Sequence, residues 1–241
     1  MTDLTKTGID GLDTILNGGI MSDSAILLSG NPGTGKTIFG LQFLYEGARR
    51  YDERGIYLTF EEDADDLRAA AASIGFTEWD ELIESDTIRV YDKQVLLNED
   101  DFSATLDLLL DDLADDTFDR IVVDSLTMLE LFFETEKEKR TYLLKFTDIL
   151  KRHGVTSILI NEQGGFFPET EISLENFLTD GNIYLIQTPT ESGVNRYIWV
   201  AKMRKQDIET DIFPLDIQKG GLRIHDRAAG FSFMDSDQSP F

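Results

Sequence analysis

The chain has 241 residues, 41% hydrophobic and 28% charged, which is the composition of a folded protein with a sizeable core. Its 46 acidic and 22 basic side chains give a formal net charge of −24, so most of the surface repels nucleic acid phosphates and anionic membranes. The lack of cysteine excludes disulfide scaffolds and thiolate zinc sites, and two histidines do not favour a histidine-rich metal site.

Apolar, β-branched runs alternate with helical patterns through the first two thirds of the chain. The runs predict strands at 24–29, 55–60, 87–91, 120–123 and 155–160. Helices are predicted at 36–51, at 64–74, around the apolar positions of 102–113, and over 142–150 before Gly154. Strands that alternate with helices favour an α/β fold with a mainly parallel, twisted sheet flanked by helices and right-handed crossovers.

The pattern changes after Asn161. Residues 161–180 have the composition of a loop with a short helix, and strands are predicted at 182–187, 197–202, 211–217 and 222–224. These strands resemble consecutive hairpins, so we expect a C-terminal β-hairpin extension at one edge of the sheet. Residues 1–225 are predicted to form a single domain, and 226–241 a mobile tail whose phenylalanines are candidates for docking on a partner.

Other surface and targeting signals are few. No apolar run reaches the roughly 20 residues that a membrane span needs, and the first six residues do not have the form of a signal peptide. We therefore expect a cytoplasmic protein without a membrane span. The scattered acids and scarce lysines favour a halophilic, salt-tolerant surface over a specific cationic partner, and high salt would screen the repulsion of nucleic acid.

A glycine-rich motif follows the first long strand. Gly30-Asn31-Pro32-Gly33-Thr34-Gly35-Lys36-Thr37 fits the phosphate-binding pattern G-x-x-x-x-G-K-[ST], between a predicted strand and a predicted helix. Glycines let successive N–H groups point at phosphate oxygens, and the helix adds its positive N-terminal end. Lys36 is predicted to reach the β- and γ-phosphates and Thr37 to ligate Mg²⁺. The nucleotide site is predicted to comprise residues 31–37 and Ile38; the alternative is a glycine turn with a solvated lysine.

An acidic residue ends the strand at 120–123. In a parallel sheet the carboxyl ends of the strands line the ligand crevice, so Asp124 is expected beside the loop, where it would hold Mg²⁺ directly or through water. An aspartate at a strand end is common by itself. The phosphate loop gives this one its interpretation as the second metal ligand.

Two glutamates follow the strand at 55–60. Glu61 and Glu62 are placed to face the γ-phosphate, where one of them can orient the attacking water and accept its proton. The acids that follow, beginning with Asp63, leave a second interpretation open, because carboxylates also favour helix N-termini.

These motifs, taken in order, resemble the KaiC-like ATPases of the RecA superfamily. The resemblance rests on Thr7-Gly8-Ile9-Asp10-Gly11-Leu12-Asp13, Gly18-Gly19-Ile20, the phosphate loop, Thr59-Phe60-Glu61-Glu62 and Val123-Asp124-Ser125-Leu126. It continues through Thr179-Asp180-Gly181, Lys202-Met203-Arg204 and Phe213-Pro214-Leu215, and covers about residues 5–225. The loop alone is shared by many unrelated proteins, whereas the ordered set is specific.

The resemblance implies a RecA-like core with bound ATP or ADP and Mg²⁺, assembled into a homo-oligomer, usually a hexameric ring with nucleotide between subunits. It makes Glu61 the favoured base, and it matches Lys202 and Arg204 to residues that reach the γ-phosphate of the neighbouring subunit. Asn161 and Gln163 end the strand where RecA-like ATPases often carry a polar γ-phosphate sensor. The family's usual glycine and histidine after Arg204 are replaced here, beginning with Lys205, which leaves the details of the interface open.

A second departure from the family concerns self-phosphorylation. Relatives of the clock type carry adjacent Ser/Thr phosphorylation sites shortly before the Thr-Asp pair, where this chain has Glu175-Asn176-Phe177-Leu178. Without a hydroxyl there, phosphorylation at that place is not expected. The chain resembles the hydrolytic first domain of those proteins standing alone.

Three functions remain open at this point. The first is a slow, ring-forming regulatory ATPase with an unknown protein partner. The second is a RadA-like DNA-dependent recombinase or motor, but no Lys or Arg lies between His153 and Arg196, so nucleic acid is disfavoured; Lys137, Lys139 and Arg140 keep it open. The third is a weakly hydrolysing nucleotide-binding subunit of the archaeal motility apparatus, which the glutamate pair argues against.

Overall fold

The computed structural model describes residues 3–92, 113, 116–128, 133, 135–163, 175–190, 193–225 and 227–228. The helices are α1 Leu12–Ile15, α2 Lys36–Tyr51, α3 Ala64–Ser73, α4 Trp79–Glu84, α5 Glu136–Arg152 and α6 Glu175–Leu178. The strands are β1 Leu4–Thr5, β2 Ile20–Met21, β3 Ala25–Gly30, β4 Gly55–Thr59, β5 Ile88–Tyr91, β6 Arg120–Asp124, β7 Thr156–Glu162, β8 Gly181–Thr190, β9 Gly193–Met203, β10 Ile212–Gln218 and β11 Gly221–Ile224.

Nine strands form one sheet in the order β11-β10-β9-β8-β3-β7-β6-β4-β5. The strands from β8 to β5 in this order are parallel to one another, and β9, β10 and β11 follow β8 as antiparallel neighbours. The α/β fold class, the mainly parallel sheet and the C-terminal hairpin extension are therefore confirmed. A small antiparallel sheet of β1 and β2 was not predicted.

The central strands are apolar because helices cover both faces of the sheet. Along β3, Ile26 and Leu28 pack into the core on the face of α2, while Ala25 and Leu27 pack into the core on the face of α5. Helix α5 begins at a capping box, in which the Thr135 side chain accepts from the Glu138 backbone and the Glu138 side chain accepts from the Thr135 backbone. No helix in the described part of the chain is long and apolar enough to cross a membrane.

The register of the parallel strands brings their carboxyl ends to one edge. Gly30 pairs with Glu162 across β3 and β7, and Thr59 pairs with Asp124 across β4 and β6. The phosphate loop, the glutamate pair and Asp124 therefore leave the sheet at the same edge, as the strand-end argument predicts.

A buried arginine fixes the other end of β6. The Arg120 guanidinium donates to the backbone oxygens of Phe43 and Lys6, each at 2.7 Å, and pairs with the Glu53 carboxylate. It also lies 4.5 Å from the centre of the Phe43 ring. Because Phe43 lies on α2 and Glu53 just after it, Arg120 holds the strand that carries Asp124 against the helix that follows the phosphate loop.

Several predicted segments fall outside the described residues. They are the helix at 102–113 apart from Leu113, the loop at 164–174, and the tail at 226–241 apart from residues 227 and 228. The single-domain boundary at residue 225 stays a prediction.

Candidate functional site

The phosphate loop connects β3 to α2 through backbone that favours glycine. Gly33 and Gly35 have φ angles of 80° and 104°, in the left-handed region, and Gly35 caps the start of α2. A Cβ on Gly30 would lie 2.6 Å from the Leu185 oxygen on neighbouring β8. The Thr34 hydroxyl donates to the Asn31 oxygen at 2.8 Å, which closes the loop from within. The backbone is thus shaped to present N–H groups at the N-terminus of a long helix, the arrangement that binds phosphate.

The loop lysine is held by backbone oxygens. Lys36 is 7% exposed, and its Nζ donates to the oxygens of Gly30 at 2.9 Å and Asn31 at 3.1 Å. The Glu162 carboxylate, at the end of β7, lies 3.6 Å from the same nitrogen. The ammonium group is therefore fixed above the loop, with a partly exposed acid as its counter-ion.

Thr37 and Asp124 meet at the first turn of α2. The Thr37 hydroxyl donates to Asp124 Oδ2 at 3.0 Å, and the Tyr57 hydroxyl donates to the same oxygen at 2.8 Å. Burial raises the pKa of Asp124, and the hydrogen bonds from Tyr57 and Thr37 oppose this shift. Burial, together with the Asp124 charge, raises the pKa of Tyr57 well above its ordinary value, so its hydroxyl stays a donor. Hydroxyl and carboxylate oxygens are the donors that Mg²⁺ prefers, so this pair fits a magnesium site.

The glutamate pair lines the same cavity as the loop. The Ser125 hydroxyl donates to Glu61 Oε1 at 2.6 Å, and Ser125 directly follows Asp124. The Glu62 backbone N–H donates to the Thr59 hydroxyl at 3.1 Å, which fixes the turn that leaves β4. Glu61 is therefore oriented by a buried hydroxyl from the residue that follows β6 and Asp124.

One cavity of about 610 Å³ brings most of these residues together. Its described lining is Pro32, Gly33, Gly35, Lys36, Thr37, Ile38, Glu61, Glu62, Asp124, Glu162, Arg196 and Ile217. Asn31 and Thr34 lie within the loop without lining the cavity, and the Gln163 backbone N–H donates to the Gly30 oxygen at 3.3 Å. Gln163 thus lies beside the loop, and its role as a phosphate sensor stays a prediction.

Sequence reasoning missed four residues around this cavity. Glu162 ends β7, and the strand-end rule that identified Asp124 would have found it. Tyr57 lies inside β4, and nothing in its spacing separates it from the apolar core. Arg196 and Ile217 lie on β9 and β10, and the parallel pairing of β8 with the distant β3 brings this hairpin extension beside the loop.

Lys202 and Arg204 lie at the opposite end of the strands from the phosphate loop, where β8 begins. Lys202 pairs with Asn182 near the start of β8, where its Nζ donates to the oxygens of Asn176 at 2.9 Å and Thr179 at 2.7 Å. Burial, and next the charge of Arg204, lower the pKa of Lys202. The half-exposed Arg204 guanidinium donates to the Phe177 oxygen at 3.1 Å. The structure does not bring these two cations to the cavity of their own chain.

Comparisons with known proteins agree with this geometry. A family model described as "ATPase: KaiC" matches residues 5–229. The UPF0273 protein PH0284 of Pyrococcus horikoshii is 31% identical over 245 residues, with 93% of this chain and 95% of that protein covered. The crystal structure of the KaiC-like protein PH0186 of Pyrococcus horikoshii matches with a TM-score of 0.82 and 32% identity, covering 93% of this chain and 100% of that chain.

Relatives that carry the clock name are longer. The circadian clock oscillator protein KaiC of Prochlorococcus marinus is 28% identical over 225 residues, which are 90% of this chain and 45% of that protein. The circadian clock protein KaiC2 of Synechocystis is 31% identical, with 90% of this chain and 39% of that protein covered. The chain spans less than half the length of these relatives. By the family model, the phosphate-loop geometry and the shared fold, the chain belongs to the KaiC family of ATPases.

Proposed function

We propose that the chain binds ATP with Mg²⁺ and hydrolyses it slowly, as a ring-forming regulatory ATPase whose bound ATP or ADP sets its affinity for a protein partner. The observation that carries the hydrolytic part is the position of Glu61, on the same cavity as Lys36 and Asp124 and oriented by the Ser125 hydroxyl. A site that only binds nucleotide does not need an oriented carboxylate opposite the phosphate loop.

Each residue then has one task. The loop N–H groups and Lys36 bind the β- and γ-phosphates, and Thr37 and Asp124 hold the metal. Mg²⁺, when bound, would supply positive charge that offsets the negative charge of the phosphates. Glu61 orients a water toward the γ-phosphorus and accepts its proton, a contribution typically worth about 10²–10⁴ in rate. Arg196 and Ile217 line the part of the cavity against which we expect the ribose and base to lie.

The charges of the cavity support the metal requirement. Its described lining holds four carboxylates, Glu61, Glu62, Asp124 and Glu162, against the two cations Lys36 and Arg196. A triphosphate that entered without a cation would add further negative charge to this acidic wall. A divalent cation at Thr37 and Asp124 offsets that repulsion at the point where acid and phosphate meet.

The positions of Lys202 and Arg204 support assembly of the chain into a ring. Their edge of the sheet faces away from the phosphate loop of the same chain, so a γ-phosphate reaches them only from a neighbouring copy. A cation supplied in this way stabilises the charge of the transition state and is worth about 10³–10⁵ in rate in other classes of enzyme. We propose a hexameric ring, as the family resemblance implies, with one nucleotide between each pair of subunits.

The two other functions receive less support. Of the basic residues that kept DNA binding open, Lys139 is only 6% exposed, and the exposed Lys137 and Arg140 share the start of α5 with Glu136 and Glu138. Neighbouring carboxylates reduce the attraction of such a face for a phosphate backbone. The oriented glutamate argues against a weakly hydrolysing subunit.

Turnover with and without DNA separates these functions. We expect wild-type protein to release phosphate from ATP in the presence of Mg²⁺, at a rate that single-stranded DNA does not change, and to have the mass of a ring in light scattering. The Lys36→Ala variant gives the background rate of phosphate release. A rate that DNA stimulates would favour the recombinase, and a wild-type rate equal to the background would favour a subunit that binds nucleotide without hydrolysing it.

A further inference from the structure

A buried tyrosine hydroxyl lies beneath the metal site. The Tyr57 side chain is fully buried in the core on the α2 face of the sheet, and its hydroxyl donates to Asp124 Oδ2 at 2.8 Å. In the described part of the chain, both hydrogen bonds that reach the Asp124 carboxylate end on this oxygen, one from Tyr57 and one from Thr37. The carboxylate is therefore held by one oxygen from inside the protein.

Packing accounts for the ring of Tyr57 but not for its hydroxyl. The ring lies between β4 and α2, so close that a Cβ on Gly40 would lie 3.3 Å from it. A phenylalanine would fill this volume and cost no desolvation of a polar group. The hydroxyl donates its hydrogen bond to Asp124, which is itself 8% exposed and lines the nucleotide cavity.

The two donors to Asp124 differ in their position relative to the cavity. Thr37 lines the cavity, and its hydroxyl oxygen is itself a candidate metal ligand, whereas Tyr57 is fully buried and is not part of the described lining. Tyr57 therefore holds Oδ2 from the protein interior, and in the described part of the chain neither hydrogen bond to the carboxylate occupies Oδ1. Partners of this kind commonly contribute 10–100-fold to metal affinity, an order-of-magnitude figure from other metal sites.

We propose that Tyr57 is a positioning residue for the metal site, which orients Asp124 toward Mg²⁺ through its hydroxyl. The inference rests on the metal-dependent nucleotide site proposed above. It assigns to a core residue of β4 a role in binding the divalent cation and no direct contact with the nucleotide.

Direct binding of a metal ion tests this role without reference to catalysis. Mn²⁺, which prefers the same oxygen ligands as Mg²⁺, is titrated into the full-length protein with saturating ADP and followed by its spin-resonance signal. We expect Tyr57→Phe to raise the dissociation constant of Mn²⁺ about ten-fold or more, in line with losses at other metal sites. The affinity for ADP in EDTA should stay within about two-fold of wild type, because the loop and Lys36 are untouched.

The chain offers a matched control. Tyr45 is buried in the same core, where it stacks on Phe76 at 4.2 Å, and it does not line the nucleotide cavity. Tyr45→Phe should bind Mn²⁺ as wild type does, and thermal melting checks that both variants are folded at the temperature of the titration.

Each outcome has one meaning. An unchanged Mn²⁺ affinity in Tyr57→Phe overturns the inference while the nucleotide site stands. An equal loss of metal-free ADP binding also overturns it, since the hydroxyl would then support the cavity as a whole. Wild-type protein that binds neither ADP nor Mn²⁺ overturns the proposed function and the inference with it.

Discussion

The lysine of the phosphate loop is held by partners from its own chain. Gly30 and Asn31 accept hydrogen bonds from its Nζ, and Glu162 supplies a counter-charge 3.6 Å away. These partners satisfy the ammonium group of the buried Lys36 and fix its position. Glu61 is prepared in a similar way, because the buried Ser125 fixes its carboxylate. The two groups proposed to act on the terminal phosphate are thus oriented by the chain itself.

The glutamate pair gives the sharpest expectation for a single residue. Glu61→Gln should keep the affinity for Mg²⁺-ADP and lose about 10²–10⁴ in turnover, since an amide cannot accept the proton of the attacking water. Glu62→Gln is the matched control and should lose less, because the Ser125 hydroxyl orients Glu61. The rate of phosphate release and calorimetric titration with ADP measure the two properties. Equal turnover in Glu61→Gln and wild type would remove the assignment of the base.

At the scale of secondary-structure elements, the sequence predicts those helices and strands that have a clear periodic pattern of apolar residues. The helix predicted at 36–51 has those bounds in the structure, and the strands predicted at 24–29 and 55–60 are shifted or shortened by one residue. The short elements α1 and α4 were missed because four to six residues are too few for a periodic pattern. Strand ends located Glu61 and Asp124, whereas Arg196 reaches the cavity through long-range pairing that no local pattern records.

In helix α2, packing against the core limits which residue can occupy Gly40, whatever the helix propensity of that residue. Alanine is favoured over glycine inside a helix by about 1 kcal/mol. At Gly40, however, an added Cβ would lie 2.8 Å from Val122 Cγ1 and 3.3 Å from the Tyr57 ring. Because these groups belong to the sheet and cannot move apart freely, we expect the cost of overpacking to exceed the gain in helix propensity, so that an alanine at this position destabilises the protein.

We therefore expect Gly40→Ala to lower the free energy of unfolding by about 1–3 kcal/mol, the usual cost of overpacking. Ala69→Gly, on an exposed position of α3, is the control and should lose at most about 1 kcal/mol from propensity alone. Urea titrations followed by circular dichroism give both values. A Gly40→Ala variant more stable than wild type would show that the sheet yields to the added methyl group.

At the scale of the whole molecule, one subunit holds two parts of the proposed reaction at opposite edges of its sheet. The phosphate loop and Glu61 lie at the edge where the parallel strands end, and Lys202 and Arg204 lie where β8 begins. A single copy cannot bring these groups together at one phosphate. The proposed ring joins them between neighbours, so that turnover depends on assembly as well as on the cavity.

Mixing of two inactive variants tests this dependence. Arg204→Ala should lower turnover by about 10³-fold or more if the arginine acts on a neighbouring subunit, and it should act as a dominant defect in rings mixed with wild type. Rings that contain Lys36→Ala and Arg204→Ala subunits together should recover part of the turnover, because some sites combine an intact loop with an intact neighbour.

Arg152→Ala is the control for loss of a positive charge, since Arg152 is an exposed arginine at the end of α5 and away from the cavity. It should hydrolyse ATP as wild type does. Full turnover in Arg204→Ala, or no recovery in the mixed rings, would mean that hydrolysis is completed within one subunit.

Binding of Mg²⁺-ADP by the phosphate loop is the claim on which the other proposals depend, and calorimetric titration of the full-length protein measures it most directly. We expect one nucleotide per chain for wild type, and for Lys36→Ala a loss of affinity of about 100-fold or more, the scale of a buried charge contact of roughly 3 kcal/mol. The exposed Lys145→Ala on α5 should bind as wild type does. Absence of binding to wild type, or equal affinity in Lys36→Ala, would contradict the account.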